Sequence, residues 1–318
     1  MKYFITGGAG FIGSNFVDLL LSDSSDPVDS ITVFDKLTYS GSLQNIKKHL
    51  THPKVKFVQG DICNYELLLE AMTKHDIVVH FAAESHVDNS ILYADRFIQT
   101  NVAGTQRVLE AALNTGVKRV INISTDEVYG SVLDGSSAED APLVPNSPYS
   151  SSKAGADLIA RAYFKTYGLD VVTTRSANNF GKHQHLEKLI PLMVDRLIKG
   201  QKIPIYGSGL NIREWIHVND NCRAIQKIIH VGKPGETYNI GSGNELTNLQ
   251  VAREVLEFMG YGEDRIEFVT DRKGHDFRYK LNSAKIASLG HVNLVDWRKG
   301  LMDYVSWHLA NQNHWGIA

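Results

Sequence analysis

Lys2-Tyr3-Phe4-Ile5-Thr6-Gly7-Gly8-Ala9-Gly10-Phe11-Ile12-Gly13 opens the chain. Five residues of strand character run into glycines at 7, 10 and 13. An apolar helical pattern follows through Phe16, Val17, Leu20 and Leu21. Glycine is needed where the backbone must turn sharply and let a pyrophosphate approach closely. The helix N-terminus then offers free N–H groups and a favourable dipole. G-x-x-G-x-x-G is a variant of the dinucleotide fingerprint, here with a strand before it and a helix after it. A second strand, Ile31-Thr32-Val33-Phe34, ends in Asp35, 22 residues past Gly13. An acid there is suited to accept from an adenosine ribose. It favours NAD over NADP, whose ribose phosphate it would repel.

Later strand ends extend the pattern. Val55-Lys56-Phe57-Val58 runs into Gly60-Asp61-Ile62, placing Asp61 for a contact to an adenine edge. Asp76-Ile77-Val78-Val79-His80-Phe81 runs into Ala82-Ala83-Glu84-Ser85, where the small alanines let a cofactor lie across the strand end. In open parallel sheets ligands bind outside the carboxyl ends of the strands, and all these motifs fall there. The βα alternation is regular to about residue 175, ending with the strand Asp170–Arg175. Beyond 176 loops lengthen and glycine turns recur, as in Gly207-Ser208-Gly209 and Gly241-Ser242-Gly243. The expected fold is α/β: a Rossmann-like, doubly wound parallel sheet over residues 1–175. A smaller mixed α/β lobe over 176–318 contributes the substrate site, with local returns to the large domain.

Two separated segments carry the chemistry. Ser124-Thr125-Asp126-Glu127-Val128-Tyr129-Gly130 sets two acids side by side after the apolar run Arg119-Val120-Ile121-Asn122-Ile123. Tyr149-Ser150-Ser151-Ser152-Lys153 sets a phenol and an ammonium four residues apart, on one face of a helix. A phenol, with a reference pKa of about 10, becomes a base only when a positive charge lowers that value, and Lys153 could supply it. With a nicotinamide nearby, the pair removes a proton from an alcohol while hydride leaves its carbon. The two acids indicate a second proton-transfer task, because elimination needs an acid and a base presented together.

Composition limits the alternatives. The chain has 318 residues, 43% hydrophobic and 21% charged, as in ordinary globular proteins. A net charge of −2 argues against a nucleic-acid surface. Cys63 and Cys222 are the only cysteines, with no metal or redox spacing, which fits a reducing cytosol. No apolar stretch approaches the roughly 20 residues that span a bilayer. The N-terminus enters the first strand at once, so no signal peptide is expected. Two helical stretches carry wide apolar stripes, one through Ile98, Val102, Val108, Leu109, Ala112 and Leu113, the other through Leu158, Ile159, Ala162, Tyr163 and Tyr167. Either could pack on the sheet or face a partner.

These motifs, with Glu187-Lys188-Leu189-Ile190-Pro191 and Asp271-Arg272-Lys273-Gly274-His275-Asp276, resemble the extended short-chain dehydrogenase/reductase family. The similarity is strongest to its dTDP-glucose 4,6-dehydratase branch. Tyr-x-x-x-Lys identifies only the superfamily, and Thr125-Asp126-Glu127 is the more specific feature. The resemblance implies that Tyr149, assisted by Lys153 and Thr125, takes the proton from the sugar O4 while C4 is oxidised by NAD. Glu127 then removes the C5 proton, Asp126 protonates the departing C6 hydroxyl, and hydride returns to C6. NAD is tightly held and recycled each turnover. Its implied contacts are Gly7, Gly10, Phe11, Ile12 and Gly13 at the pyrophosphate and Asp35, Lys36, Leu37 and Thr38 around the ribose. Asp61 and Ile62 sit near the adenine, and Phe81, Ala82, Ala83, Ser85, Thr100, Tyr149, Lys153 and Asn179 complete the set. The nucleotide-sugar substrate is implied to meet Ser85, Thr125, Asn178, the Lys188-Leu189 backbone, Pro204 and Tyr206, the last stacking on the base. Arg213, Asn248, Arg272 and His275 hold its diphosphate and ribose. Arginine suits that role because its planar fork matches phosphate oxygens. A cytoplasmic homodimer through the helices around 98–114 and 149–167 is also implied.

The chain departs from the branch pattern at Ser176-Ala177-Asn178-Asn179-Phe180-Gly181-Lys182-His183-Gln184-His185-Leu186, where Cys-Ser-Asn-Asn-Tyr-Gly-Pro is usual. Asn89 and Phe277 replace frequent arginines. These changes alter the wall near the sugar or nucleotide, so a UDP-linked sugar remains open. His183-x-His185 is read as a pair of loop histidines, with no metal site. Rival readings are a nucleotide-sugar 4-epimerase, a non-catalytic NAD sensor and a nucleotide-sugar decarboxylase. The acid pair speaks against the epimerase, and the intact catalytic set against the sensor. No feature requires the carboxylated substrate of the decarboxylase, though Lys182 leaves it open.

Overall fold

Tyr3 and Ile5 turn to one side of the first strand and Phe4 to the other, the period of two that a pleated strand imposes. All three are fully buried in the computed structural model, which describes residues 1–24 and 27–315. The strand is therefore covered on both faces, as parallel sheets require. Six strands come first: β1 (Lys2–Thr6), β2 (Ser30–Asp35), β3 (Val55–Gln59), β4 (Ile77–His80), β5 (Arg119–Thr125) and β6 (Val171–Ser176). The chain then forms β7 (Asn178–Phe180), β8 (Ile203–Tyr206), β9 (Ile212–His217), β10 (Thr237–Ile240), β11 (Glu245–Thr247) and β12 (Ile266–Val269).

β1 to β6 and β10 make one parallel sheet in the order β10-β6-β5-β4-β1-β2-β3. The strand order reverses between β1 and β4, and that switch point opens the crevice in which such folds bind ligands. On one face Tyr3, Ile5, Val33, Val79, Ile121 and Val172 pack under Phe16, Val17, Ile225 and Ile228 of helices Phe11–Ser22 and Val218–Val231. On the other, Phe4, Phe34, Val78 and Val120 pack under Leu68, Val108, Leu109, Ala160 and Tyr163. Each such large side chain contributes about 1.5–3 kcal/mol on burial.

The smaller lobe holds a three-stranded sheet, β11-β9-β7, and the two-stranded parallel pair β12-β8. Phe180, Met193, Trp215, Leu301 and Tyr304 form its core. Residues 218–240 lie against the large sheet, since helix Val218–Val231 packs on helix Phe11–Ser22 and β10 forms a sheet edge.

Helix Pro148–Tyr167 carries Tyr149 and Lys153. Its start is set by a Ser147–Ser150 capping box with Pro148 in the first turn, and its end by Gly168 in the left-handed region. Its inner face is built from small residues, Ala154, Ala156 and Ala160, which let it lie close to the sheet. The apolar stripes divide accordingly. Val108, Leu109 and Ala112 are core, whereas Ile98, Leu158 and Tyr167 are exposed, as are Leu92 and Tyr93. Ile98–Gly104 is a π-helical stretch, which the apolar periodicity did not disclose.

Gly7 has φ +68, and a Cβ there would meet the Ala82 backbone nitrogen at 2.6 Å. Neither strand end can retreat without breaking the sheet. Gly7→Ala is expected to cost at least about 1–3 kcal/mol and to strip the protein of dinucleotide. Thermal denaturation and the ultraviolet spectrum of the purified variant check both.

Candidate active site

The carboxyl ends of β1, β2, β4, β5 and β6 surround one deep cleft. Its floor begins at the glycine turn. A Cβ on Gly13 would stand 2.4 Å from the Gly7 carbonyl oxygen, so the helix starts directly against the turn only because that residue is glycine. Asp35, at the end of β2, accepts from Ala9 N at 2.9 Å and from Leu37 N at 2.8 Å. Burial pushes its carboxyl up, against those two hydrogen bonds. Lys36 pairs with Asp61 at 2.7 Å and ties the ends of β2 and β3 together. Thr100, in the π-helical stretch, also faces the cleft.

β5 ends at Thr125 and turns at once into the single helical turn Asp126–Tyr129. Thr125 Oγ1 accepts from Glu127 N at 3.3 Å and donates to Asp126 Oδ1 at 3.1 Å. The two acids receive different surroundings. Burial and the charges of Glu127 and Glu214 hold Asp126 well above the carboxylate range. Burial also raises Glu127, but Arg272, Arg213 and Lys188 oppose it. Glu214 accepts backbone N–H groups from Ser242, Gly243 and Leu281 at 2.6–3.0 Å, which fixes its position beside Asp126. Asp126 is thus suited to carry a proton and Glu127 to accept one.

Tyr149 and Lys153 share a face of helix Pro148–Tyr167 and both line the cleft. Lys153 Nζ donates to the Ile123 carbonyl at 2.6 Å. Desolvation pushes the ammonium down to about 8. The Tyr149 phenol is raised by burial and by the Glu127 charge, while Thr125 acts to lower it. The expected lowering of the phenol by Lys153 is thus outweighed in the protein alone. A cationic ring bound beside the phenol would act in the opposite direction.

Buried polar atoms without hydrogen-bond partners concentrate here: Ser124 Oγ, Asp126 Oδ2, Asn178 Oδ1, Asn179 Oδ1 and Gln184 Oε1. Such atoms are costly unless a polar ligand satisfies them. The glycine turn and these acceptors fit a dinucleotide with a polyhydroxylated substrate.

Of the cofactor residues expected from the sequence, Gly7, Gly10, Phe11, Ile12, Gly13, Asp35, Lys36, Thr38, Asp61, Ile62, Phe81, Ala82, Ala83, Ser85, Thr100 and Asn179 line the cleft. Leu37 does not, and packs against the core behind it. Ser85, Asn178 and Lys188 also line it, and Lys188 Nζ donates to the Ser85 carbonyl at 2.6 Å. Leu189, Pro204, Tyr206, Arg213, Asn248, Arg272 and His275 lie outside this lining. Leu189 and Asn248 head helices, and Pro204 and Tyr206 lie on β8. Tyr206 donates to Asp88 at 3.2 Å, with Arg272 4.0 Å from the same carboxylate. His275 pairs with Asp271 at 2.6 Å. Arg213 stacks 4.3 Å over Tyr279 and donates to the carbonyls of Ile212, Asp276 and Phe277.

The sequence reading assigned no role to Glu84, Glu187, Gln184 or His185, all of which line the cleft. Glu84 and Glu187 stood inside motifs already quoted, but nothing in their spacing showed that two loops would converge. The altered stretch also has a structural role. His183, at φ +70, meets Ser14 Oγ at 2.9 Å and stacks on His314 at 5.1 Å. Asn15 Nδ2 donates to the Lys182 carbonyl at 2.9 Å. His185 lies against Tyr39 and Trp315. The stretch therefore joins the first helix to the segment Gln312–Trp315, and its two histidines face different partners.

Residues 4–302 match the sequence profile of GDP-mannose 4,6 dehydratase. The chain belongs to that family. A dTDP-glucose 4,6-dehydratase of Actinoplanes sp. is 50% identical over 99% of this chain and 100% of its own length. The low-salt glycan biosynthesis protein Agl12 of Haloferax volcanii is also 50% identical, over 98% of this chain and 99% of its own. The crystal structure of DesIV, a dTDP-glucose 4,6-dehydratase of Streptomyces venezuelae with NAD and dTDP bound, superposes with a TM-score of 0.98. Identity there is 49%, and the alignment covers 99% of both chains. A UDP-glucose 4-epimerase of Thermotoga maritima reaches a TM-score of 0.90 at 28% identity, covering 98% of this chain and all of its own. The fold is thus common to dehydratases and epimerases, and the cleft residues must separate them.

A carboxyl whose folded pKa is raised stabilises the protein below its unfolded value of about 3.9 and loses that stabilisation as pH rises through the folded value. Asp126→Asn, fixed neutral, should therefore match the wild type near pH of about 4 and exceed its thermal midpoint at alkaline pH. Denaturation across pH checks this, and a pH-independent difference contradicts it.

Proposed function

We propose that this chain is an NAD-dependent hydro-lyase that converts dTDP-glucose to dTDP-4-keto-6-deoxyglucose. The observation that carries this reading is the buried pair Asp126 and Glu127, in unlike electrostatic surroundings, in the same cleft as Tyr149 and Lys153. An epimerase carries out no elimination and so needs no acid pair. Relatives of about half-identical sequence named as dTDP-glucose 4,6-dehydratases support the same conclusion.

NAD, when bound, would supply the hydride acceptor for oxidation at C4 and the hydride donor for C6. Gly7, Gly10 and Gly13 would cradle its pyrophosphate and Asp35 would hold its adenosine ribose. Tyr149 accepts the O4 proton, with Thr125 and Lys153 holding the phenol in place. The C4 ketone acidifies the C5 proton, which Glu127 removes. Asp126 donates its proton to the C6 hydroxyl, and water departs. Glu127 then returns its proton to C5. Arg213, Arg272 and Lys188 bias Glu127 toward the carboxylate that the first of these steps needs. Arg272, His275 and Tyr206, outside the cleft lining, are the groups this reading assigns to the nucleoside diphosphate.

The exposed apolar residues Leu92, Tyr93, Ile98, Leu158 and Tyr167 support a homodimer through the helices around 98–114 and 149–167. Sedimentation that shows only monomer at working concentration excludes it. Among the described residues no helix is long and apolar enough to cross a membrane. Two free cysteines favour a reducing, cytoplasmic setting.

Incubation with dTDP-glucose, UDP-glucose and UDP-N-acetylglucosamine in turn should yield loss of one water from the first alone, read by mass spectrometry. Unchanged mass with all three removes the proposal. Glu127→Gln should lower dehydration about 10²–10⁴-fold while C4 oxidation proceeds, leaving reduced nicotinamide on the protein. Full dehydration by that variant reassigns the C5 base.

A further inference from the structure

Behind the cleft lies a buried polar cluster that the proposed reaction does not use. Arg175, in β6, is at its centre and is almost wholly buried. Its Nε donates to Asp157 Oδ2 at 2.9 Å. Its Nη1 donates to the Tyr129 hydroxyl at 2.7 Å and to the Glu139 carbonyl at 3.1 Å. The guanidinium also lies 4.8 Å from the centre of the Tyr129 ring. Asp157 Oδ1 accepts from Asn122 Nδ2 at 3.1 Å, and the Tyr129 hydroxyl donates to Asn239 Oδ1 at 2.8 Å. Asn239 is held in turn by Glu139 Oε1 and the Ser137 carbonyl.

The two residues that Arg175 joins belong to the two halves of the catalytic set. Asp157 stands one helical turn beyond Lys153, on the helix that also carries Tyr149. Tyr129 ends the short turn that begins with Asp126 and Glu127. From this geometry we infer that Arg175 and Tyr129 are positioning residues that fix the acid pair relative to Tyr149 and Lys153, and so govern the elimination half of the reaction. The inference rests on the dehydratase reading above.

The two halves are not held equally well. Helix Pro148–Tyr167 has its capping box, its alanine face and the Lys153–Ile123 bond to keep it on the sheet. The turn Asp126–Tyr129 has four residues: Thr125 Oγ1 holds its start through Glu127 N and Asp126 Oδ1, Val128 is buried in the core, and its far end is tied by Gly130 N to the Glu127 carbonyl, Val144 N to the Val128 carbonyl, and the Tyr129 hydroxyl. Removing the clasp leaves the tyrosine and lysine in place and releases Glu127 and Asp126. Oxidation at C4 should then persist while proton removal at C5 slows, because a misplacement of about 1 Å can cost about 10²-fold in rate.

The test compares wild type, Tyr129→Phe, Arg175→Lys and the double variant, each loaded with NAD and supplied with dTDP-glucose. Product release and the fraction of nicotinamide standing reduced in the steady state are both followed. Tyr129→Phe removes one hydroxyl and keeps the ring, so it remains decisive if Arg175→Lys folds poorly. Each single variant should lose about tenfold to a hundredfold in product formation, with a raised reduced fraction and wild-type NAD content. The double variant should be no worse than the poorer single one, since both act through one contact. Wild-type dehydration with variants that keep full activity, or that lose product with no rise in reduced nicotinamide, overturns the clasp alone. Wild-type protein that releases no water overturns the dehydratase reading and the clasp with it.

Discussion

Lys153 Nζ donates to the Ile123 carbonyl at 2.6 Å inside the protein, and this bond ties helix Pro148–Tyr167 to the strand that leads into the acid pair. A buried ammonium must find an acceptor, because an unpaired charge away from water is far more costly than an unpaired neutral group. The available acceptor is a backbone carbonyl near the end of β5. Meeting that requirement places Tyr149 one helical turn away, in the lining of the cleft that Thr125, Asp126 and Glu127 share. Ser152 Oγ donates to the Tyr149 carbonyl at 2.7 Å, and Asn101 Nδ2 reaches that same hydroxyl at 2.8 Å. Asn101 also exchanges two hydrogen bonds with the Glu84 backbone, so the loop after β4 is registered on the same helix.

The electrostatics of the cleft follow from which charges the fold can neutralise. Burial and the charges of Glu127 and Glu214 push the Asp126 carboxyl up, and Glu214 is itself held in place by three backbone N–H groups. Glu127, a single residue later, faces Arg272, Arg213 and Lys188 instead. Adjacent carboxyls in one turn therefore differ because their remote neighbours differ, which is the separation that acid and base roles need.

Much of the fold could be read from the chain. The glycine spacing, Asp35 at a strand end and the strand–helix rhythm each reflect local rules, a steric limit in one case and a periodicity in the others. The tyrosine–lysine pair was equally plain, because a helix puts residues four apart on one face. The effect of Lys153 on Tyr149 was not: the ammonium turns to Ile123, and burial dominates the phenol. The altered stretch at 176–186 looked like a change in the wall near the sugar or nucleotide. In the fold, Gln184 and His185 do face the cleft, while His183 turns away to brace the first helix against the segment Gln312–Trp315. No periodicity announces such a contact, since its partners lie at opposite ends of the sequence.

The sequence by itself determined the parallel sheet, the dinucleotide turn and the chemical types of the catalytic groups. Backbone sterics and side-chain periodicity act over a few residues and are written in order along the chain. Only the tertiary structure decided which charges act on each acid, which arginines turn to backbone carbonyls, and how Arg175 joins two catalytic elements. Those outcomes depend on desolvation and on charges brought together from distant segments, and a charge acts through space without regard to its place in the chain.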